Sequence, residues 1–303
     1  MSKLFAMTKR NCLVFLKDTG AVFFSLLSMI IVLVLMGVFL GEMNVEAVVD
    51  LLGEYGGVRD TALDRENAIH LGQYWTLAGL VVVNSLTVTM MVIGTLVTDK
   101  VSDKLKSFQT APVNRFLIAV SYIVSAVLIG FFFCVLTLTG YMVYIGASGG
   151  AILSVTAIVK VLGYTLVDVI IFAIIMYLVA TLIKSTGAWG GIATVVGTLV
   201  GFLGAIYVPV GSLSEGIVNV LKCLPVLHGT SLMRKVMCEE ILEETFAGMH
   251  PEVLAGYREA MGIDVLLDGK AVGNEFQLLF LGICGMIALV VIAAMAGKKG
   301  NGR

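Results

Sequence analysis

Charged positions divide this chain into long apolar runs. Residues 21–41, 74–97, 116–146, 187–208 and 276–297 contain no Asp, Glu, Lys or Arg, and a sixth run, 151–183, carries only Lys160, Asp168 and little else that is polar. About 20 apolar residues are enough to cross the hydrocarbon layer as a helix, and each run reaches that length. The pattern predicts an all-α integral membrane protein, one domain over 1–303 with six transmembrane helices. The first run exceeds the roughly 7–15 residues of a signal-peptide core and is followed by no A-x-A-like site, so it reads as a span.

Composition agrees: 58% of residues are hydrophobic and 14% charged, against about half and about a quarter in soluble domains. The net charge of −1 and the lack of a basic, aromatic-studded patch point to no nucleic-acid partner.

Lys and Arg flank spans on the cytoplasmic side. They gather at Lys3, Lys9, Arg10 and Lys17, at Lys100, Lys104, Lys106 and Arg115, at Lys184, and at Lys298, Lys299 and Arg303. These segments alternate with acidic ones at 42–73 and 209–274. The expected topology has both termini in the cytoplasm. Cys223 and Cys238 then share the loop on the oxidising side, where a disulfide is an open alternative.

Two cytoplasmic elements stand out. On a helix through residues 1–20, Lys3, Arg10 and Lys17 form one stripe, with Leu4, Phe5, Cys12, Phe15 and Leu16 opposite. That suits an amphipathic helix in the headgroup region with its cations towards water, or an ordinary positive flank. In the loop 98–115, Val101, Leu105 and Phe108 fall at i, i+4 and i+7 on a short helix capped by Thr98 or Asp99 and ended before Pro112. Such a stripe cannot bury itself. It needs the membrane surface or another protein.

Catalytic signatures are missing. There is no G-x-x-x-x-G-K-[ST] phosphate loop, no H-E-x-x-H and no C-x-x-C, and His70, His228 and His250 are scattered. The chain reads as a non-enzyme with no cofactor or metal of its own; an energy source would be a carried ion or an ATP-consuming partner.

Three segments, in order, resemble the ABC-2 permease family, the membrane subunits of ABC exporters. "QTAPVNRFLI" is similar to that family's post-span-2 segment, with Pro112 and Arg115 in place. "IKSTGAWGGIATVVGTLVGFLGAIYVP" (183–209) looks like its small-residue fifth span running to an external proline, Pro209. "LPVLHGTSLMR" (224–234) matches a third segment through Pro225, His228 and Arg234. The chain departs from the pattern in having only Asp99–Lys100 before the loop, Ser214 for a second external proline, and a longer, more acidic 235–273.

The resemblance implies a partner ATP-binding subunit carrying ATP and Mg. It also implies a second permease subunit, homo- or heteromeric, and a small amphiphilic substrate such as a drug, antibiotic, peptide or lipid-like molecule. Residues 98–115 become a coupling helix, with Val101, Leu105 and Phe108 as the buried plug, Lys100 and Lys104 as rim charge, and Pro112 and Arg115 from the motif. Short re-entrant helices after Pro209 would close the path as an external gate with Pro225, His228 and Arg234.

Inside the membrane, Asp168 is costly and lies about 12 Å along the helix from Lys160. It belongs either to a substrate path or proton relay, or to a structural hydrogen bond with Tyr164 or a neighbouring helix. Gly190, Thr194, Gly197, Gly201 and Gly204 share one face of the fifth span, suited to a dimer seam or to packing within the subunit. Asn84, with nearby hydroxyls, offers a polar lining. Two rival functions remain: a proton-coupled carrier using Asp168, and a non-transporting sensor or scaffold.

Overall fold

The computed structural model of the protein describes residues 3–35, 41–57, 59–105 and 114–298. The helices are α1 (Lys3–Lys17), α2 (Thr19–Leu35), α3 (Gly41–Tyr55), α4 (Thr61–Val101), α5 (Arg115–Ala147), α6 (Val155–Leu182) and α7 (Thr186–Leu203). They continue with α8 (Glu215–Lys222), α9 (Pro225–Met237), α10 (Glu239–Thr245), α11 (Pro251–Ala260) and α12 (Asn274–Lys298). A two-stranded hairpin, β1 (Leu266–Leu267) and β2 (Lys270–Ala271), precedes α12. The chain is an all-α membrane protein: among the described residues α4, α5, α6, α7 and α12 are long and apolar enough to cross a membrane. The α8–α9 pair, bent by 87°, makes a sixth if counted as one span. The expected first span, 21–41, lies partly outside the described residues.

Helix α4 is the hub, packed against α2, α3, α5, α6, α7, α9 and α10. Its apolar half is buried on every side, as a helix without a polar face must be. It begins at Thr61, well before the expected start at 74. Asp60 accepts from the amides of Ala62 (3.0 Å) and Leu63 (3.4 Å), and residues 61–73 extend the helix as a polar stalk. Apolarity marks only the part of a helix that meets lipid, so the stalk has no signature in the hydrophobic pattern. At 1.5 Å per residue the 41-residue helix is about 60 Å long.

Elsewhere the boundaries follow local chemistry. Asn114, Ser154 and Ser185 each accept an amide of the first turn of α5, α6 and α7, the usual N-terminal cap. Helix α7 stops at Leu203 rather than running to 208. Gly204 and Ala205, the latter at φ 50°, reverse the chain, and the amide of Ile206 donates to Gly201 O at 2.8 Å. The Tyr207 ring then lies directly over Gly201, where a Cβ would collide with it.

The stretch 238–262 reads from its sequence as helical and surface-exposed; α10 and α11 lie within it, but it is no free surface layer, because Leu242 and Phe246 are buried. The hairpin was not foreseen. Its turn, Asp268–Gly269, has φ values of 49° and 74°, the left-handed pair that an Asp-Gly turn adopts. Cys223 is exposed, Cys238 is fully buried, and both are free thiols, so the disulfide alternative is not realised. A maleimide is therefore expected to label Cys223 in the folded protein and Cys238 only on unfolding. Equal labelling, or none before reduction, would contradict this arrangement.

Candidate functional site

At the basic end of the bundle, the last turn of α4 ties three other helices together. Asp99, 2% exposed, receives both guanidinium branches of Arg10 from α1, one at 2.8 Å. The Tyr122 hydroxyl of α5 donates to it at 2.5 Å. The hydrogen bond from Arg10 to Asp99 pushes the Arg10 pKa still higher, fixing it as a cation. Asn11 reaches Ser121 at 3.4 Å and Ser125 reaches Thr8 O at 3.3 Å. Thr8, Asn11 and Phe15 form the buried face of α1, while Phe5, Leu13 and Leu16 are exposed. The expectation that Arg10 faces water is thus corrected. A buried carboxylate demands a counter-charge, and Arg10 is the cation that bonds to it.

Lys100 is also turned inward. Its ammonium donates to Thr181 O at 2.8 Å and Ile183 O at 2.7 Å, carbonyls that the end of α6 leaves without helical partners. Its expected place as a rim charge gives way to capping α6. Asp99, expected to cap a new helix, instead sits inside α4, which ends at Val101 with Ser102 as its cap; Asp103 follows at φ 57°. Val101, before that turn, is 49% exposed; beyond it Lys104 is exposed, while Leu105 packs partly against the core. Phe108 and Pro112 lie outside the described residues, as does the Arg115 side chain.

In the middle of the bundle, Asn84 bridges α4 to α5 through Thr137 at 2.8 Å. Ser85, Thr87 and Thr89 bond their own helix backbone. Asp168 is 1% exposed, and neither carboxylate oxygen has a hydrogen-bond partner. The expected bond to Tyr164 or a neighbouring helix is therefore not made, and Lys160 is exposed on another face of α6. The glycine face of α7 splits in two. Gly201 and Gly204 are buried against Tyr207 and Thr230 of the same chain, whereas Gly190, Thr194 and Gly197 face outwards with open space at both glycines.

At the acidic end, Pro209 begins a 3-10 turn, Val210–Ser212, and Pro225 opens α9 at a position where its missing N–H costs nothing. Most of α9 is buried, polar residues included. His228 Nε2 lies 2.8 Å from Lys222 O and its ring 4.2 Å from that of Phe280. Ser231 donates to Ile263 O at 2.6 Å and accepts from Gln277 at 2.8 Å. Arg234, fully buried, donates to Ala205 O (2.8 Å) and Met261 O (3.1 Å) and lies 4.0 Å over the Trp75 ring. Trp75 Nε1 donates to the same Met261 O at 2.7 Å. His228 is thus fastened between α8 and α12, and Arg234 between α4 and the segments at Ala205 and Met261.

Sequence reasoning misses Tyr122 and Trp75, because each acquires its role from a partner on another helix. It also leaves Gly229 unremarked, although the run His228-Gly229-Thr230-Ser231 is unusually small and polar for a buried helix.

No curated protein and no solved structure matches the chain significantly. The family model described as ABC-2 type transporter does match, over residues 2–238, from α1 to the end of α9. A match over most of the chain, on a multi-pass helical bundle, makes this protein a member of the ABC-2 type transporter family.

Proposed function

We propose that the chain is the permease subunit of an ATP-driven exporter. It works beside a second permease subunit in the cell membrane, with both termini in the cytoplasm and ATP hydrolysed by separate subunits. The substrate is a small amphiphile. The observation that carries this reading is the anchoring of the loop at 98–115. Asp99 fastens its root to α1 and α5, and Lys100 fastens it to the end of α6, while Val101 and Lys104 remain outside. Three helices must follow any displacement of that root, which is what a lever driven from outside the membrane requires. The 87° break between α8 and α9 supports a re-entrant gate on the opposite side, where irregular backbone is covered by protein. The outward Gly190, Thr194 and Gly197 support a close helix contact with a second subunit.

The test is affinity purification of the chain from its native membrane in mild detergent, comparing native protein with Leu105→Asp/Phe108→Asp. The native preparation is expected to retain an ATP-binding chain and hydrolyse MgATP, and the double variant to lose both while melting normally. If native protein carries no ATPase, the exporter reading fails. Proton-driven flux through Asp168 is then the reading to pursue, favoured by the unpartnered state of that carboxyl group.

A further inference from the structure

Five buried polar atoms without a hydrogen bond, among the described residues, belong to side chains on α9 or facing it: Asp168 Oδ1 and Oδ2, His228 Nδ1, Arg234 Nε and Gln277 Oε1. His228, Arg234 and Gln277 each hold other bonds. Asp168 holds none. Its carboxyl group lies against the backbone of α9 at Gly229, where an added methyl would meet Oδ1 at 2.7 Å and Oδ2 at 3.0 Å. Only the absence of a side chain at Gly229 lets the two helices close over the acid.

The surrounding elements supply no counter-charge. On α6 itself, Lys160 is exposed about 12 Å along the axis. Lys100 of α4 is engaged at the far end of α6, about 20 Å away along the helix. Arg234, about 8 Å further along α9, is committed to carbonyls and Trp75. From α5, Cys134 turns its thiol to Val81 O at 3.5 Å. Beside the acid runs an apolar seam between α6, α9 and α12, built from Ile171, Leu232, Leu281 and Leu278. A membrane-buried acid with neither donor nor counter-ion is an arrangement that folding alone does not reward.

We propose that Asp168 is the recognition point for a hydrophobic cation. When α9 draws away from α6, the Gly229 backbone leaves the carboxyl group. A ligand bringing its own positive charge and an apolar body then takes that place along the Ile171–Leu232–Leu281 seam. The inference rests on the transport reading above and names its substrate class. A metal ion fits poorly: hard cations take six or more oxygen ligands, and the described residues contain no group of three His, Cys, Asp or Glu able to hold one. One acid in an apolar seam matches one charge on an apolar ligand.

The experiment uses the full chain with its co-purifying subunits in lipid nanodiscs. It measures binding of radiolabelled tetraphenylphosphonium and competition by tetraphenylborate, which has the same shape and the opposite charge. We expect saturable binding of the cation, no competition by the borate, and an affinity loss of at least about tenfold in Asp168→Asn, as a desolvated charge contact implies. Asp168→Glu should retain binding. The Asn variant deletes no hydrogen bond, so it should melt at or above the native temperature. Should it misfold, the proposal still fails if native protein binds no cation saturably or lets the borate compete, and Asp168→Glu keeps the test at this residue. Native-like binding in Asp168→Asn, equal competition by the borate, or no saturable binding by native protein would each overturn the proposal. MgATP hydrolysis is assayed on the same preparations. Hydrolysis without cation binding sinks this inference alone; cation binding with no ATPase present sinks the exporter reading.

Discussion

Replacing Asp99 with leucine is expected to destabilise the protein by about 3 kcal/mol and, on the exporter function proposed above, to uncouple ATP hydrolysis from transport. Removing one partner of a buried ion pair costs about 3–5 kcal/mol because the other charge is left without compensation. Here Arg10 retains 29% side-chain exposure, which places the loss at the low end. Tyr122 loses its acceptor as well, worth about 1 kcal/mol. The double variant Arg10→Met/Asp99→Leu should recover much of the stability, since two apolar side chains replace a pair that was costly to bury. It should not recover coupling, because α1 and the root of the loop would then be held by packing alone. Thermal unfolding in detergent and ATP-driven flux in proteoliposomes separate the two effects. A double variant as unstable as Asp99→Leu would show that the pair does not act as a unit.

Trp75→Ala should be at least as damaging, by about 3–5 kcal/mol for truncating a large buried aromatic. Trp75 is 1% exposed and is the largest fully buried side chain described. Its loss would also remove the bond to Met261 O and the ring beneath the Arg234 guanidinium, a desolvated contact worth about 2 kcal/mol. The lobe from α9 to α11 would then be poorly attached to α4. We expect early melting and new tryptic cleavage between residues 235 and 273. Trp75→Phe keeps an aromatic ring but loses the donor and part of the buried volume, so it should fall between native and alanine. If the alanine variant resists trypsin like native protein, Arg234 and its carbonyl bonds hold the lobe without the ring.

Much of the basic-end site is legible only in part. The sequence isolates Asp99–Lys100 as charges at the edge of an apolar run, and it puts Arg10 on a helical stripe with Lys3 and Lys17. Helical periodicity then sends Arg10 towards water, because periodicity registers a residue's own helix and not what packs against it. The carboxylate that turns Arg10 inward is 89 residues away in the chain. Lys100 follows the same rule: its acceptors are the carbonyls at the end of α6, which no pattern in its own loop announces. The Leu266–Ala271 hairpin is a different case. Asp268–Gly269 between apolar pairs is a readable turn signal, but it lies beyond 238–262, the stretch whose pattern reads as helical, and stays unassigned.

What the sequence by itself determined is the membrane-spanning frame and the family. Lipid offers backbone groups no hydrogen bonds, so a run of some 20 apolar residues has few alternatives to a helix, and side chains such as Asn114, Ser154 and Ser185 fix where helices begin. Only the tertiary structure decided which charges are satisfied. Arg10, Lys100 and Arg234 all carry one positive charge in the sequence, yet each ends on different oxygen acceptors contributed by distant segments. Asp168 ends on none, because the helix that closes over it presents Gly229, a residue with no side chain to offer.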